Sequence, residues 1–300
     1  MPPKLIFIFI DGIGLGAAGD LNPFATHCLP GFELLSDGQS WTEGAKPIRS
    51  DNHCFFGIDA QLGVEGLPQS GTGQASLFTG INCASLAGRH FGPYPHSTSK
   101  AAIAESNIFT RLGKLGQPVA FANAYPPVFF EHAKKRNRWS VTTRMCLDSK
   151  TEIRTLGHLE NNTAVAADIT GRGLAVGLNL PVLAISETTA AENLLKLASF
   201  NSLTLFEYFH TDKAGHKQSQ KDAASCLLSL SRFLTRLVEL SLESETTILL
   251  TSDHGNLEDL SVKTHTLNPV PFIALGPCAI SFSRVTSLTH VTPVVESLFV

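Results

Sequence analysis

Carboxylates and imidazoles recur at four separated places in this chain, in patterns that suit a divalent cation. Asp11 closes an apolar run, Asp212 and His216 stand in an Asp-x-x-x-His spacing, Asp253 and His254 are adjacent and followed by Gly255, and His265 lies just beyond. Asp212 and His216 fall on one face of a helical turn, where both side chains can converge on one ion. Adjacent Asp and His donors at a strand end can meet one cation, and the glycine after them permits close backbone approach. A single Asp after a strand is ordinarily a helix cap or a loop residue, so the weight rests on the combination. Mixed carboxylate and imidazole donors suit Mn²⁺ or Zn²⁺ better than Ca²⁺.

Ser70 is the candidate nucleophile. It sits in Leu67-Pro68-Gln69-Ser70-Gly71-Thr72-Gly73-Gln74, ahead of a helical stretch ending at Thr79-Gly80. A serine at a helix N-terminus is close to backbone amides and to the positive end of the dipole, which favours a substrate phosphate there too. The alternative is a Ser/Gly turn that merely caps the helix, and the donor set elsewhere in the chain argues against it. Arg89, Arg136, Arg138, Arg144 and Arg172 are candidates for gripping a phosphate or carboxylate, since a guanidinium fork pairs with either in bidentate fashion. Asp168, ahead of Ile169-Thr170-Gly171-Arg172, is a further candidate substrate ligand, and His210 a candidate supporting partner for Asp212.

These residues need a scaffold that brings strand ends together. Leu5 to Ile10 is a continuous β-branched and aromatic run followed by Asp-Gly, as a strand buried on both faces reads. Similar runs recur at 119–122, 203–209, 247–250 and 270–275, separated by helical patterns at 74–79, 108–115, 189–199, 221–243 and 291–298. The alternation predicts an α/β fold of three layers, a mainly parallel sheet with helices on both faces. Open sheets of this kind build their sites just beyond the carboxyl ends of strands, where Asp11, Asp212 and Asp253 stand. Between about 125 and 180 the pattern weakens and basic residues cluster. The expectation is a core of 1–124 joined to 181–300, with 125–180 inserted as a small cap.

The formal charge of -3, with 16% charged residues, leaves no basic surplus for a nucleic-acid backbone or an anionic membrane surface. The six cysteines, Cys28, Cys54, Cys83, Cys146, Cys226 and Cys278, have no short paired spacing that would mark a zinc knuckle or a redox pair. The apolar run at 5–10 is too short for a signal-peptide core, and no stretch approaches the ~20 apolar residues of a membrane helix. A cytoplasmic protein acting on a small molecule is expected.

The ordered set Asp11, Ser70, Asp212-x-x-Gly-His216, Asp253-His254-Gly255 and His265 resembles the alkaline phosphatase superfamily. Within it, Pro68-Gln69-Ser70-Gly71-Thr72-Gly73 is similar to the segment bearing the phosphorylated residue of cofactor-independent phosphoglycerate mutases and phosphopentomutases. The resemblance implies an alkaline-phosphatase-like fold and two divalent metal ions, Mn²⁺ or Zn²⁺. Asp11, Ser70, Asp253 and His254 would hold one, and Asp212, His216 and His265 the other. It also implies in-line attack by Ser70 on a small phosphorylated metabolite, giving a phosphoserine resolved by water (a phosphatase) or by a second substrate hydroxyl (a phosphomutase). The sequence departs from those mutases in lacking their large arginine-rich insertion and in carrying Gln74 where they have histidine. A phosphodiesterase on the same scaffold and a non-catalytic metal-binding relative are the alternatives. A sulfatase is disfavoured, because Ser70 is not followed by the Pro and Arg of that nucleophile signature.

Overall fold

A computed structural model describes residues 3–300. Its organising element is the first apolar run, strand β1 (Leu5–Ile10), all six residues of which are fully buried. Side chains alternate across a strand, so Ile6, Ile8 and Ile10 enter one hydrophobic core while Leu5, Phe7 and Phe9 enter a second on the other face. A strand apolar on both faces requires cover on both, and that is what makes the architecture three-layered.

The remaining strands are β2 (Ile48–Arg49), β3 (His53–Ile58), β4 (Val119–Phe121), β5 (Asn123–Tyr125), β6 (Arg154–Thr155), β7 (Val165–Ala166), β8 (Leu203–Tyr208), β9 (Thr247–Thr251) and β10 (Val270–Leu275). Seven form one sheet in the order β2-β3-β10-β9-β1-β8-β4. β1 pairs in parallel with β8 and β9, and β4 in parallel with β8. Beyond β9 the sheet turns antiparallel, β10 pairing antiparallel with both β9 and β3, and β3 with β2. The sheet is thus mixed, and its parallel part carries the strands that end in Asp11, Asp212 and Asp253.

Helices cover both faces. On the Ile6 face the helix Gln220–Glu243 buries Leu227, Leu230, Phe233, Leu234 and Leu237 completely. They recur at helical spacing, each contributing about 1.5–3 kcal/mol through burial. Ser219 caps its start by accepting from the Asp222 amide at 3.1 Å. On the Phe7 face the helix Ser70–Thr79 is buried along its whole length, and the Phe78 ring meets Phe7 and Phe9 at 5.7 and 5.5 Å.

The stretch 125–180, expected as a cap, holds short helices and the strands β6 and β7, which flank β5 in a small parallel sheet of order β6-β5-β7. Its helix Val141–Ser149 sends Val141, Met145 and Cys146 into the Phe7-side core. Among the described residues no helix is long and apolar enough to cross a membrane.

Candidate active site

Three neighbouring parallel strands, β8, β1 and β9, end side by side, and each delivers an acidic side chain within a few residues of its end. Asp11 follows β1, with its amide donating to the Tyr208 carbonyl of β8 at 2.9 Å. Asp253 follows β9 and is fully buried, as is His254. Beyond β8 the chain enters the helix His210–Lys217, which carries Asp212 and His216 one turn apart.

The side chains gather in two adjoining groups. In the first, His254 Nε2 lies 2.9 Å from Ser70 Oγ, 3.4 Å from Asp11 Oδ1 and 3.5 Å from Asp253 Oδ2. Ser70 is the first residue of its helix and is buried. In the second, His216 Nε2 lies 3.4 Å from Asp212 Oδ2, His265 Nε2 lies 3.6 Å from Asp212 Oδ1, and the two Nε2 atoms are 3.2 Å apart. The groups adjoin: His254 and His265 stack at 3.7 Å, and donor atoms of Asp11, Asp212 and His254 cluster as closely as those of Asp212, His216 and His265.

Tautomers decide what these imidazoles offer. His265 Nδ1 contacts the Pro68 carbonyl at 2.6 Å, and His216 Nδ1 the Lys263 carbonyl at 2.8 Å. A carbonyl only accepts, so each Nδ1 carries the proton, and in the neutral rings each Nε2 is a bare lone pair. Two lone pairs facing each other repel unless a proton or a cation lies between them. Imidazoles oriented through the far nitrogen by backbone carbonyls are the usual support of a metal site.

The carboxylates tell the same story. Burial, then the charges of Asp253 and Asp212, hold the Asp11 carboxyl well above the usual carboxylate range. Burial raises Asp253 as well, partly offset by the Gln74 amide and by His265. Burial, reinforced by His265, pushes His254 down to about 3, which keeps it neutral and its lone pair available. Gln74 Nε2 donates to Asp253 Oδ2 at 3.1 Å and to Asp11 Oδ2 at 3.4 Å, but buried Asp11 Oδ1 has no hydrogen-bond partner among the described residues. An orphaned carboxylate oxygen, crowded acids and inward-facing imidazole lone pairs are a donor set that fits divalent cations.

Two close approaches shape the site. Gly71 lies against the Phe91 and Tyr94 carbonyls, where a Cβ would fall far inside van der Waals contact. The Thr72 amide donates to Phe91 O at 2.9 Å, locking the segment 89–94 onto the first turn of the Ser70 helix. Gly215 leaves room for Asn256, whose Nδ2 donates to Asp212 Oδ1 at 2.6 Å.

The basic candidates are divided. The Arg89 guanidinium lies over the Phe91 ring at 5.5 Å and that of Arg138 over the Tyr94 ring at 5.7 Å, both on the segment packed against Ser70. Arg144 donates to Asp148 at 2.7 Å and is committed there. Arg136 is exposed at the end of the helix Pro127–Arg136. Asp168 accepts from the amides of its own turn, Gly171 at 2.8 Å and Gly173 at 2.6 Å, while Arg172 faces a separate cleft together with His210.

Several supporting residues carried weak sequence signals or none. Glu258 is buried and accepts from the Gly14 and Asn256 amides, both at 2.8 Å, tying the loop after β1 to the loop after β9. Glu207 is buried in β8 with its carboxyl pushed up to about 7 by burial, and it accepts from Thr142 at 2.7 Å and Tyr125 at 3.4 Å. The detectable signal for Glu207 was a lone acid inside an otherwise apolar strand.

The family described as Metalloenzyme superfamily matches residues 154–299. The 2,3-bisphosphoglycerate-independent phosphoglycerate mutase of Mycoplasma genitalium is 29% identical over 106 residues, covering 33% of this chain and 20% of that enzyme. The chain therefore spans a fifth of that relative's length in the match. A phosphoglycerate mutase of Leishmania mexicana superposes with a TM-score of 0.53 at 10% identity, covering 100% of this chain and 95% of that one. The alkaline phosphatase of the Antarctic bacterium TAB5 gives 0.52 at 12% identity, covering 100% and 98%. The fold is that of the alkaline phosphatases, and the resemblance read from the ordered motifs is borne out by sequence in part of the chain and by fold across it.

Proposed function

We propose that the protein is a two-metal phosphoryl-transfer enzyme that acts on a small phosphate monoester through a phosphoserine at Ser70. The observation that carries this reading is the pair of facing imidazole nitrogens of His216 and His265, 3.2 Å apart with both far nitrogens donating to carbonyls. Beside it stands a second donor group with a buried serine hydroxyl 2.9 Å from His254 Nε2. Asp212, His216 and His265 would hold one ion, and Asp11, Asp253, His254 and Ser70 the other, with Mn²⁺ or Zn²⁺ suited to such donors. When bound, two such cations supply charge stabilisation for the attacking oxygen and for the transferring phosphoryl group.

The chain's own residues do the rest. Ser70 Oγ attacks phosphorus in line as the bond to the ester oxygen breaks, and the alcohol leaves with a proton. Ser70 stands at the first position of its helix, so the amides and dipole of that turn favour the incoming phosphate. Arg89 and Arg138, over rings of the segment clamped to that turn, would grip its oxygens. Gln74 orients Asp11 and Asp253 through its amide. Residues 125–180 act as a small cap that excludes water from the reacting groups. Water resolving the phosphoserine makes a phosphatase, and a second hydroxyl of the substrate makes a phosphomutase. A cytoplasmic location and a small phosphorylated metabolite as substrate, with no nucleic-acid or membrane partner, complete the reading.

The test is turnover of sugar phosphates, phosphoglycerates, an aryl phosphate and an aryl phosphodiester with Mn²⁺ or Zn²⁺ supplied, following free phosphate and positional isomers. Phosphate release identifies a hydrolase; isomers without release identify a mutase. Diester cleavage alone would replace the monoesterase reading. Ser70→Ala is expected to lower turnover by about three orders of magnitude or more. Full turnover in that variant would remove the covalent step.

A further inference from the structure

The helix His210–Lys217 has two working faces. Asp212 and His216 point to the donor groups, whereas His210, Lys213, Ala214 and Lys217 project roughly 130° away at 3.6 residues per turn. The second set forms one wall of a cleft of roughly 540 Å³, a size suited to a small molecule. The turn carrying Arg172 also lines it, and Tyr208 and Cys226, members of the Ile6-side core, give it apolar lining. None of the seven residues grouped around Ser70 and the cation donors lines it.

Its charges are unevenly committed. Of the three carboxylates on its lining, Asp168 is held by the Gly171 and Gly173 amides. Glu187 accepts from Arg232 at 2.5 Å and from Ser229 at 2.9 Å, and Asp222 pairs with Lys217 at 3.0 Å. Arg172 and Lys213 have no carboxylate partner among the described residues, and the His210 ring makes no hydrogen bond there. Lys213 Nζ sits 4.2 Å over the Phe209 ring, which holds the ammonium against its own wall. Two cations without carboxylate partners thus line one cleft that also has apolar lining.

We infer that this cleft binds a small organic dianion, a phosphomonoester or a dicarboxylate with a short apolar body, between the Arg172 guanidinium and the Lys213 ammonium. The guanidinium pairs with either anion through two parallel hydrogen bonds, and the ammonium adds a point charge from the other side. The apolar body lies on Tyr208 and Cys226. The site is separate from the one proposed to transfer phosphate and stands or falls apart from it.

The experiment is calorimetric titration of the metal-loaded protein with succinate and with propylphosphonate, neither of which has an ester to cleave. Wild type, Arg172→Ala, Arg172→Lys and Ser70→Ala are compared, with circular dichroism confirming the fold of each. Wild type is expected to bind at least one probe with one equivalent at this cleft, beside any phosphonate held by the proposed cation site. Arg172→Ala should weaken that binding at least about tenfold, Arg172→Lys should recover part of it, and Ser70→Ala should leave it unchanged. Preference for succinate assigns a dicarboxylate, and preference for the phosphonate assigns the phosphoester class. Failure of both probes to bind wild type overturns the inference. So does binding that survives Arg172→Ala undiminished, since it then belongs to the groups around Ser70.

Discussion

Burial gives Glu207 a pH response of its own. Its carboxyl moves from 4.5 to about 7 because burial penalises the charged form. The folded state therefore holds this proton more tightly than the unfolded chain does. The resulting stability is fully present below about 4.5 and is lost as pH rises through about 7. The loss should be of the order of 3 kcal/mol. Glu207→Gln should flatten this slope, as read from denaturant midpoints between pH 4 and about 8 in chelator. Gln74 calls for a different experiment. Gln74→Glu replaces an amide donor with another carboxylate beside Asp11 and Asp253, at a cost of about 3–5 kcal/mol for an unpaired buried charge. In chelator its melting temperature should drop by several degrees, and Mn²⁺ or Zn²⁺ should restore most of it; an unchanged apo melting point would show that the extra acid is simply protonated. At this scale the donor residues were legible because Asp and His in ordered spacing have few other uses. Gln74, Asn256 and Glu258 were not, since amides and single acids serve many structural ends and only their partners give them a role.

Helices set the aim of these side chains. The helix His210–Lys217 is held at its Asp212 end by Asn256, and Gly215 provides the clearance. Gly215→Ala should displace Asn256 and loosen Asp212. Affinity for the ion held by Asp212, His216 and His265 should fall about tenfold, with a much smaller effect on the other ion. Competition with a chelating dye, reading two binding steps, checks this; equal weakening of both would mean that the helix moves as a body. The Asp-x-x-x-His spacing already implied a turn here, and the apolar runs of β1, β8 and β9 fixed the strand ends. β3 escaped notice because Gly57 interrupts its apolar run. The helix Val141–Ser149 did too, its polar residues masking the three that enter the core. The antiparallel pairing of β10 left no mark either, because a buried run reads the same in both directions.

Across the whole molecule, the proposed cations join segments from both ends of the chain, so loading should act as a staple. Ions bound to the folded state alone add about 2.7 kcal/mol each at a hundredfold excess over the dissociation constant. The thermal midpoint should therefore climb with Mn²⁺ or Zn²⁺ concentration and fall on chelation, and a midpoint indifferent to both would count against a built metal centre. The three-layer arrangement was legible in β1, whose two apolar faces demand two covers. How residues 125–180 divide between core and cap was not, since short polar elements carry little periodicity. The place of β1 has a further consequence, for the chain as it is being made. This strand is made well before its neighbours β8 and β9, which begin at residues 203 and 247. Until β8 has been made, Leu-Ile-Phe-Ile-Phe-Ile waits with both edges unpaired, the composition and state that favour aggregation. The same segment that ends fully buried is exposed until those neighbours emerge, and a nascent chain should depend on chaperone cover over those six residues.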